Sequence, residues 1–488
     1  MVYFCCMRYK ILIATCLLLV SGTLHAQKKK WTLLDCVQYA MANNLSVKQT
    51  ELQTKNAELT YDQSKMGRWP SLNFSTSPAF NNGRNQDPTT YSLITQSYLS
   101  AGFQLQTSVE IFNWFSKKNT IAANQWEIMA AKANTDKLKN DLALTVANVY
   151  LQILLAKDQE SIAAIQLQQS QAQLSNTRKM VDAGALPELN ASELEAQVAR
   201  DSASVITAHG NVEQALLNLK AYLSLDAATP FDIDTPPVDK IPVEKIGDLQ
   251  PETVYALAMT NMPQQKYNDL KLKAAQKSLL AAKASLYPTI SLFGGLSSSY
   301  IASRTAVYDR VFSAYVPTGF KADVSGTLYD VYSPTYSQGS KTGYSRSDAF
   351  GTQLNRNFRQ SVGLTISVPI FNGYSSRTAF ARSKLSIQNL QLQKQLDDLT
   401  LKQNIYQAYN AAMVALEKFN ASKKTLETTE RTLNYAKKRY DVGMLSTFEL
   451  ITNQNNLFRA KLDYSLNQYD YVFKMKVLEF YKGQGLKL

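Results

Sequence analysis

The chain has almost no histidine or cysteine. Two histidines and four cysteines occur in 488 residues, and Cys5, Cys6, Cys16 and His25 all lie near the N-terminus. Beyond them only Cys36 and His209 remain. One cysteine excludes an internal disulfide, and a Cys/His metal centre or a Ser-His or Cys-His triad has almost no material. No GxxxxGKS phosphate loop occurs. Asp397 and Asp398 are adjacent on a helical stretch, so they point in different directions and form no catalytic pair. These absences predict a protein that is not an enzyme, with no cofactor and no metal.

Long hydrophobic runs are also missing. The one sustained apolar stretch, residues 11–20, is too short to cross a bilayer as a helix. Arg8 and Lys10 precede it and Ala26 precedes Gln27, which predicts a signal peptide over 1–26. Thr15 before Cys16 and the apolar run continuing past it argue against a lipoprotein. Loss of Arg8 and Lys10 takes the net charge from +13 to +11. The remaining basic residues are dispersed along helical patterns, so they read as solvated surface, and no nucleic-acid partner is expected.

Glycine and proline are absent from two windows, residues 114–183 and 374–442. Both windows are rich in Ala, Leu, Gln, Lys and Glu, the residues that lose least in a helix. Leu138, Leu142, Val146, Val149 and Ile153 recur at three- and four-residue steps, as do Leu401, Ile405, Ala408, Ala412 and Leu416, giving a narrow coiled-coil-like seam. A helix of that length measures about 100 Å, which predicts a rod. Each window ends at Asp-x-Gly-x-Leu, around Gly184 and Gly443. Glycine tolerates the left-handed corner that closes a helix, so each motif is the tip of a helical hairpin. The returning helices are expected over 186–225 and 446–480.

The tips recur because the chain is a duplication. A shift of 218 carries Ala40, Met41, Asn43 and Lys48 onto Ala258, Met259, Asn261 and Lys266, and Trp69-Pro70 onto Tyr287-Pro288. A shift of 259 carries Ile111-Phe112-Asn113 onto Ile370-Phe371-Asn372, and Asp182, Gly184 and Leu186 onto Asp441, Gly443 and Leu445. The second copy therefore carries an insertion of about 41 residues between Pro288 and Phe371. Repeat 1 spans 27–225 and repeat 2 spans 251–482, with a tail at 483–488. The proline-rich segment 226–250 joins them as a surface connection with at most short strands.

Each copy also has strands of period two. Phe103, Leu105, Thr107, Val109 and Ile111 alternate with Gln104, Gln106, Ser108 and Glu110. Val362, Leu364, Ile366, Val368 and Ile370 alternate with Ser361, Gly363, Thr365, Ser367 and Pro369. The spacing suits a tilted membrane strand of about 9–11 residues, although a soluble sheet packed on helices would alternate alike. Strands are expected over 71–78, 102–112, 289–299 and 361–371, with exposed loops near 78–100 and 300–356. On the membrane reading the polar residues Gln104, Gln106, Ser108, Glu110, Ser361, Thr365 and Ser367 face a lumen. Four strands cannot close a barrel, and open edges are forbidden in lipid. Two copies give eight strands and a filled interior; three give twelve, which conduction would favour.

Signal peptide, duplication, paired strands and glycine-tipped rods together resemble the TolC family of outer-membrane channels. The residues that carry the likeness are Trp31–Cys36 with Ala40 and Asn43-Asn44, Tyr287-Pro288, Val368–Gly373 and Tyr440–Gly443. The resemblance implies a mainly α fold with membrane β: a trimer whose 12-stranded β-barrel continues into a periplasmic α-helical barrel. The implied partners are outer-membrane lipid, a periplasmic adaptor and an inner-membrane transporter, with the channel a passive exit duct for efflux or type I secretion. Ala183, Gly184, Ala185 and Leu186, with Val442, Gly443, Met444 and Leu445, would be the adaptor-docking tips. Tyr440, Asn190, Glu449 and Thr452 would form the periplasmic gate. Of two aspartates that some members carry after the second tip, one matches Glu449 and the other Thr452; a locking arginine matches Leu445. A weaker acidic ring follows, with one carboxylate per chain. A surface coiled-coil adhesin without a pore is the alternative, and it leaves the alternating strands unexplained.

Overall fold

A computed structural model describes residues 30–86, 93–238 and 241–483. The signal peptide and nearly all of the tail at 483–488 lie outside the described residues. In chain order, α1 (Leu33–Asn43) and α2 (Leu45–Met66) lead to β1 (Ser71–Gln86) and β2 (Leu93–Phe112), then to α3 (Ser116–Asp182) and α4 (Glu188–Leu223). The second half runs α5 (Pro251–Asn261), α6 (Pro263–Ala284), β3 (Thr289–Val324), β4 (Thr327–Arg346), α7 (Phe350–Arg356), β5 (Arg359–Ser367), α8 (Ser375–Asp441) and α9 (Thr447–Tyr481). Both offsets reappear in space. Leu33 to Pro251 and Leu45 to Pro263 are shifts of 218, while Ser116 to Ser375 and Asp182 to Asp441 are shifts of 259. Helices α3 and α8 have 67 residues each.

The chain divides into two compact units. The helical unit takes its described residues from up to Tyr61, from 122–276 and from 384 onward. Its first core gathers Cys36, Ala40 and Val47, Val146, Tyr150 and Ile153 of α3, and Leu219 and Leu223 of α4. A second gathers Val254 and Ala258 of α5, Ile405 and Ala412 of α8, and Met475 and Leu478 of α9. The apolar seams read from the sequence thus enter the cores. The connection at 226–250 is not simply a surface segment: Ile233 and Leu249 are fully buried. Its backbone is strapped down, since Trp31 N–H donates to Asp232 O at 3.1 Å and Asp234 N–H to Trp31 O at 2.9 Å. The Tyr150 hydroxyl donates to Asp234 O at 2.6 Å. Prolines keep α-helix out, leaving only the 3₁₀ turn Ile246–Asp248, yet side chains between them still supply anchors.

Burial makes Cys36 inert. Desolvation, with the Asp35 charge adding to it, pushes its thiol up to about 12, so almost no thiolate exists at neutral pH. With the leader removed, native protein should take up negligible maleimide and denatured protein one equivalent, by mass. Fast native labelling would mean that the α1 contact is open.

The second unit, residues 62–121 and 277–383, holds every described strand. The sheet runs β1-β2-β3 antiparallel, and the far edge of β3 carries β5 first and β4 farther along. β5 pairs with Thr289–Ser297 and β4 with Arg304–Val324. The segment 300–356 is therefore not a loop but a long β-hairpin followed by α7. The expected loop at 78–100 shrinks likewise, because β1 runs to Gln86 and β2 starts at Leu93. β5 ends at Ser367, short of 371, because Pro369 cannot donate to a ladder.

Between β5 and β4 the edge of β3 meets side chains instead of a strand. The Gln353 carboxamide accepts from Ile301 N–H at 2.9 Å and donates to Ile301 O at 2.9 Å. Asn357 Nδ2 donates to Ser299 O at 2.8 Å, and Ser303 N–H donates to Ser347 Oγ at 3.2 Å. An amide side chain carries one acceptor and donors, as a peptide group does, so α7 closes the gap without a β-partner.

The passage from strand to helix is built twice at unequal backbone cost. In repeat 2, Gly373 and Tyr374 take φ of 59° and 61°; in repeat 1 the matched residues are Trp114 and Phe115, at 50° and 62°. A bulky residue at positive φ is strained. Ring contacts offset that strain, with Trp114 4.9 Å from Tyr287 and Phe112 5.3 Å from Trp114 between centroids.

Candidate functional site

The first candidate site is the two-faced sheet. Cross-strand partners point to the same side, so the register sorts the strands. Phe103 pairs with Thr76 and Ser298, Leu105 with Phe74 and Leu296, and Thr107 with Leu72 and Gly294. Leu292 pairs with Leu364 and Ile290 with Ile366. That face is apolar over four strands. The other unites Gln104 with Ser75 and Ser297, Gln106 with Asn73 and Gly295, and Ser108 with Ser71 and Phe293. Ser361, Thr365 and Ser367 belong to it through Gly295, Ser291 and Thr289, and Glu110 through Ser291. All seven lumen candidates therefore share one face. The β1 residues Ser71, Asn73 and Ser75 join them, and their alternation in SLNFSTS was the available signal. Phe293 is the exception on the polar face. Its ring lies over Gly363, where a Cβ would stand 2.6 Å from it.

Aromatic rings edge the apolar face at the end where strands pass into helices. Trp69, Phe112, Trp114, Phe115, Tyr287, Phe371 and Tyr374 are all substantially exposed there. Phe103, Tyr300 and Phe350 cluster at the other end, with ring centroids 5.1 to 5.9 Å apart. An apolar band flanked by aromatic rings is the pattern that membrane strands display.

The second candidate site is the pair of hairpin tips. Gly184 has φ +75° and Gly443 φ +73°. Gly184 N–H donates to Val181 O and Ala185 N–H to Met180 O, both at 2.8 Å; Gly443 to Tyr440 and Met444 to Arg439 repeat the pattern at 2.9 Å. That is a Schellman closure at both tips. Ala183, Gly184, Ala185, Val442, Gly443 and Met444 are exposed, while Leu186 and Leu445 are half-buried. Val442 and Met444 expose about two thirds of their surface, and the unforeseen Leu189 and Phe448 do likewise.

The gate candidates divide. Tyr440 is half-buried, with its hydroxyl 3.5 Å from Thr177 and 3.4 Å from Thr447, joining the two hairpins. Glu449 closes a capping box: its carboxylate accepts from Ser446 N–H at 3.1 Å and Ser446 Oγ at 3.0 Å, and its own N–H donates to Ser446 Oγ at 3.2 Å. Those bonds hold its carboxyl below the usual Glu range. Asn190 sits at the matching place in repeat 1, where Pro187 precedes α4 and no side-chain cap forms. Thr452 donates its hydroxyl to Phe448 O at 2.8 Å.

The helices behind the tips are tied by a buried polar layer that no sequence pattern announced. Gln197 and Asn455 exchange amide hydrogen bonds at 3.0 and 3.2 Å across α4 and α9. Gln197 Nε2 also donates to Asp201 at 2.8 Å, and Ser170 of α3 donates to the same carboxylate. Among the described residues no cluster of His, Cys, Asp and Glu could hold a metal, and no helix is long and apolar enough to cross a membrane.

Comparison with known proteins gives the family and the fold. The model of the family described as "Outer membrane efflux protein" matches residues 36–224 and 254–483, one segment in each repeat. The probable outer membrane lipoprotein SilC of Salmonella typhimurium is 21% identical over 434 residues, covering 86% of this chain and 79% of its own. The crystal structure of CusC superposes with a TM-score of 0.72 at 18% identity, over 93% of this chain and 92% of the other. The open-state MtrE channel of Neisseria gonorrhoeae gives 0.67 at 17%, over 92% and 88%. Such relatives are channel proteins, and channels of this family work with adaptors and inner-membrane transporters. The pore-free adhesin is left without support. The chain belongs to the outer membrane efflux protein family: it is an outer-membrane channel that reaches into the periplasm and serves as the exit duct of an efflux or secretion system.

Proposed function

We propose that three copies close a twelve-stranded barrel, its polar face inward around Gln104, Gln106, Ser108, Glu110, Ser361, Thr365 and Ser367 and its apolar face in lipid. The observation that carries this is the four-stranded part of the sheet, β1-β2-β3-β5, with two chemically different faces and, among the described residues, no strand beyond β1 or β5. Lipid cannot solvate those edges, so other copies must. The test is labelling of single-cysteine variants in outer membranes, with the native mass of the purified assembly. Gln106→Cys should react with a water-soluble maleimide and Leu105→Cys should not, and the mass should be three chains. Equal labelling, or a stable monomer, would sink the reading.

The tips around Gly184 and Gly443 dock the periplasmic adaptor, supported by their exposed apolar residues and duplicated closure. Tyr440, Asn190, Glu449 and Thr452 line the periplasmic mouth. Glu449→Gln should lower cation preference and divalent-cation block in planar bilayers; unchanged values would remove Glu449 from the gate. The same carboxylate also sets a pH dependence. Its folded pKa is depressed, so its capping contribution is present above the ordinary value of 4.5 and is lost as pH falls through the lower folded value. Protection of amides 446–450, taken relative to intrinsic exchange at each pH, should therefore fall only below pH 4.5 in wild type. Glu449→Gln should flatten that dependence.

A further inference from the structure

Just beyond the apolar band, two arginines stand opposite each other. Arg304 of β3 is registered with Arg346 of β4. Like charges in directly opposed positions are destabilising, so the pair calls for a counter-charge. The described residues do not provide one. Among the described residues neither arginine lies in an ion pair, and the acids nearest in sequence are engaged or turned away. Asp348 is held by Arg356, and Asp330 lies 3.9 Å from Lys321. Asp309 has odd parity on β3 and falls on the other face.

The face is fixed by register. Phe103 pairs with Ser298, Ala101 with Tyr300 and Leu99 with Ala302, so the even-numbered residues of β3 lie on the apolar side. The first irregularities of the hairpin put their extra residues on β4, and β3 keeps its alternation to Phe312. Arg304, Tyr308, Arg310 and Phe312 therefore continue the apolar face. Lys341 is registered with Tyr308, and its Nζ stands 3.7 Å above the Tyr344 ring. Arg304, Arg310, Lys341 and Arg346 are all exposed. On the neighbouring hairpin Arg84 has the parity of Phe80, and it is exposed too.

Height follows from strand geometry. Arg304 is four residues past Tyr300, and at about 3.3 Å per residue with a tilt near 40° it stands roughly 10 Å above that ring. That is the headgroup layer. Arg304 lies at the end of the sheet away from the strand–helix passages at Trp69, Trp114, Tyr287 and Tyr374, and with those passages facing the periplasm this layer belongs to the outer leaflet.

We propose that Arg304 and Arg346, with Arg310 and Lys341 beside them, bind the phosphate of a phosphorylated glycolipid headgroup in the outer leaflet. This rests on the apolar face being the lipid face, as proposed above. Charge complementarity selects the ligand class, and continuity with the apolar band selects a lipid over a free anion. Two guanidinium forks opposed across a ribbon offer parallel hydrogen bonds to one phosphate, and the anion relieves their repulsion. The tyrosines between them suit an interface where acyl chains give way to sugars.

The test uses the full-length assembly in detergent, titrated with monophosphoryl lipid A and with the same lipid dephosphorylated. Wild type should bind the phosphorylated form at least about tenfold more tightly. Arg304→Gln/Arg346→Gln should lose most of that preference, and Arg304→Lys/Arg346→Lys should keep part of it. Absence of preference in wild type, full preference in the glutamine variant, or displacement by millimolar inorganic phosphate would overturn the site. The Leu105→Cys labelling separates the two readings. If it reacts freely with water-soluble reagent, the lipid face itself falls; if it is protected and no preference appears, only the headgroup site falls.

Discussion

Lys476→Met should open the junction between the end of α9 and the connecting segment. Lys476 and Glu479 form an ion pair at 2.8 Å with about 5% of each side chain exposed. A second oxygen of Glu479 accepts from Glu244 N–H at 2.8 Å, and Lys482 reaches Glu244 at 2.7 Å. Lys476 lines one cavity with Thr32, Tyr150, Asp234 and Ile241. Removing the ammonium leaves a buried carboxylate without its cation, and breaking a buried pair from one side costs about 3–5 kcal/mol. Amide exchange at 243–249 should then rise by roughly two to three orders of magnitude, since about 1.4 kcal/mol is a tenfold change. Lys476→Met/Glu479→Leu should return close to wild type, because the desolvation cost leaves with both charges. A single variant that exchanges like wild type would mean that water already reaches the pair.

Gly184→Val/Gly443→Val should abolish most export while the channel still reaches the outer membrane. At both tips the space for a Cβ is empty, with nothing within 4 Å, so the cost is conformational. A left-handed residue with a side chain costs about 1–2 kcal/mol, and a β-branched one more. The closure opens to avoid it, and the bonds from Ala185 to Met180 and from Met444 to Arg439 go with it. If these corners dock the adaptor, crosslinking from a Met444→Cys variant should fall to background and export by about tenfold or more. Asparagine tolerates the left-handed region, so Gly184→Asn/Gly443→Asn should retain both. Full export by the valine pair would detach docking from the corner's shape.

How much of this was legible in the sequence depends on what each residue had to signal. The rods were open to view because missing glycine and proline act over 67-residue helices, and only the frayed ends shifted by a residue or two. The two-faced strands were legible where alternation ran unbroken, as from Phe103 to Ile111. The β3–β4 hairpin was not. Four register shifts break its period, and Pro317 and Pro334 within paired strands imitate loop composition. The connection at 226–250 misled for a related reason, since Ile233 and Leu249 are single anchors with no period to betray them. At the tips the glycines announced themselves by backbone chemistry. Glu449 had been legible as a charge, but its capping role needed Ser446 three residues earlier to be read with it. The layer of Ser170, Gln197, Asp201 and Asn455 comes from three helices, so no local pattern could reveal it.

The edge of β3 near Ile301 resembles a dislocation in a crystal, where one row of the lattice stops and another begins. β5 is the row that stops, β4 the row that begins, and Gln353 heals the fault by lending a side-chain amide where a peptide group is missing. A fault healed locally transmits no misfit. The width of the sheet below is set by four rows whatever stands above, so the hairpin beyond the fault can lengthen, shorten or change its chemistry without disturbing them.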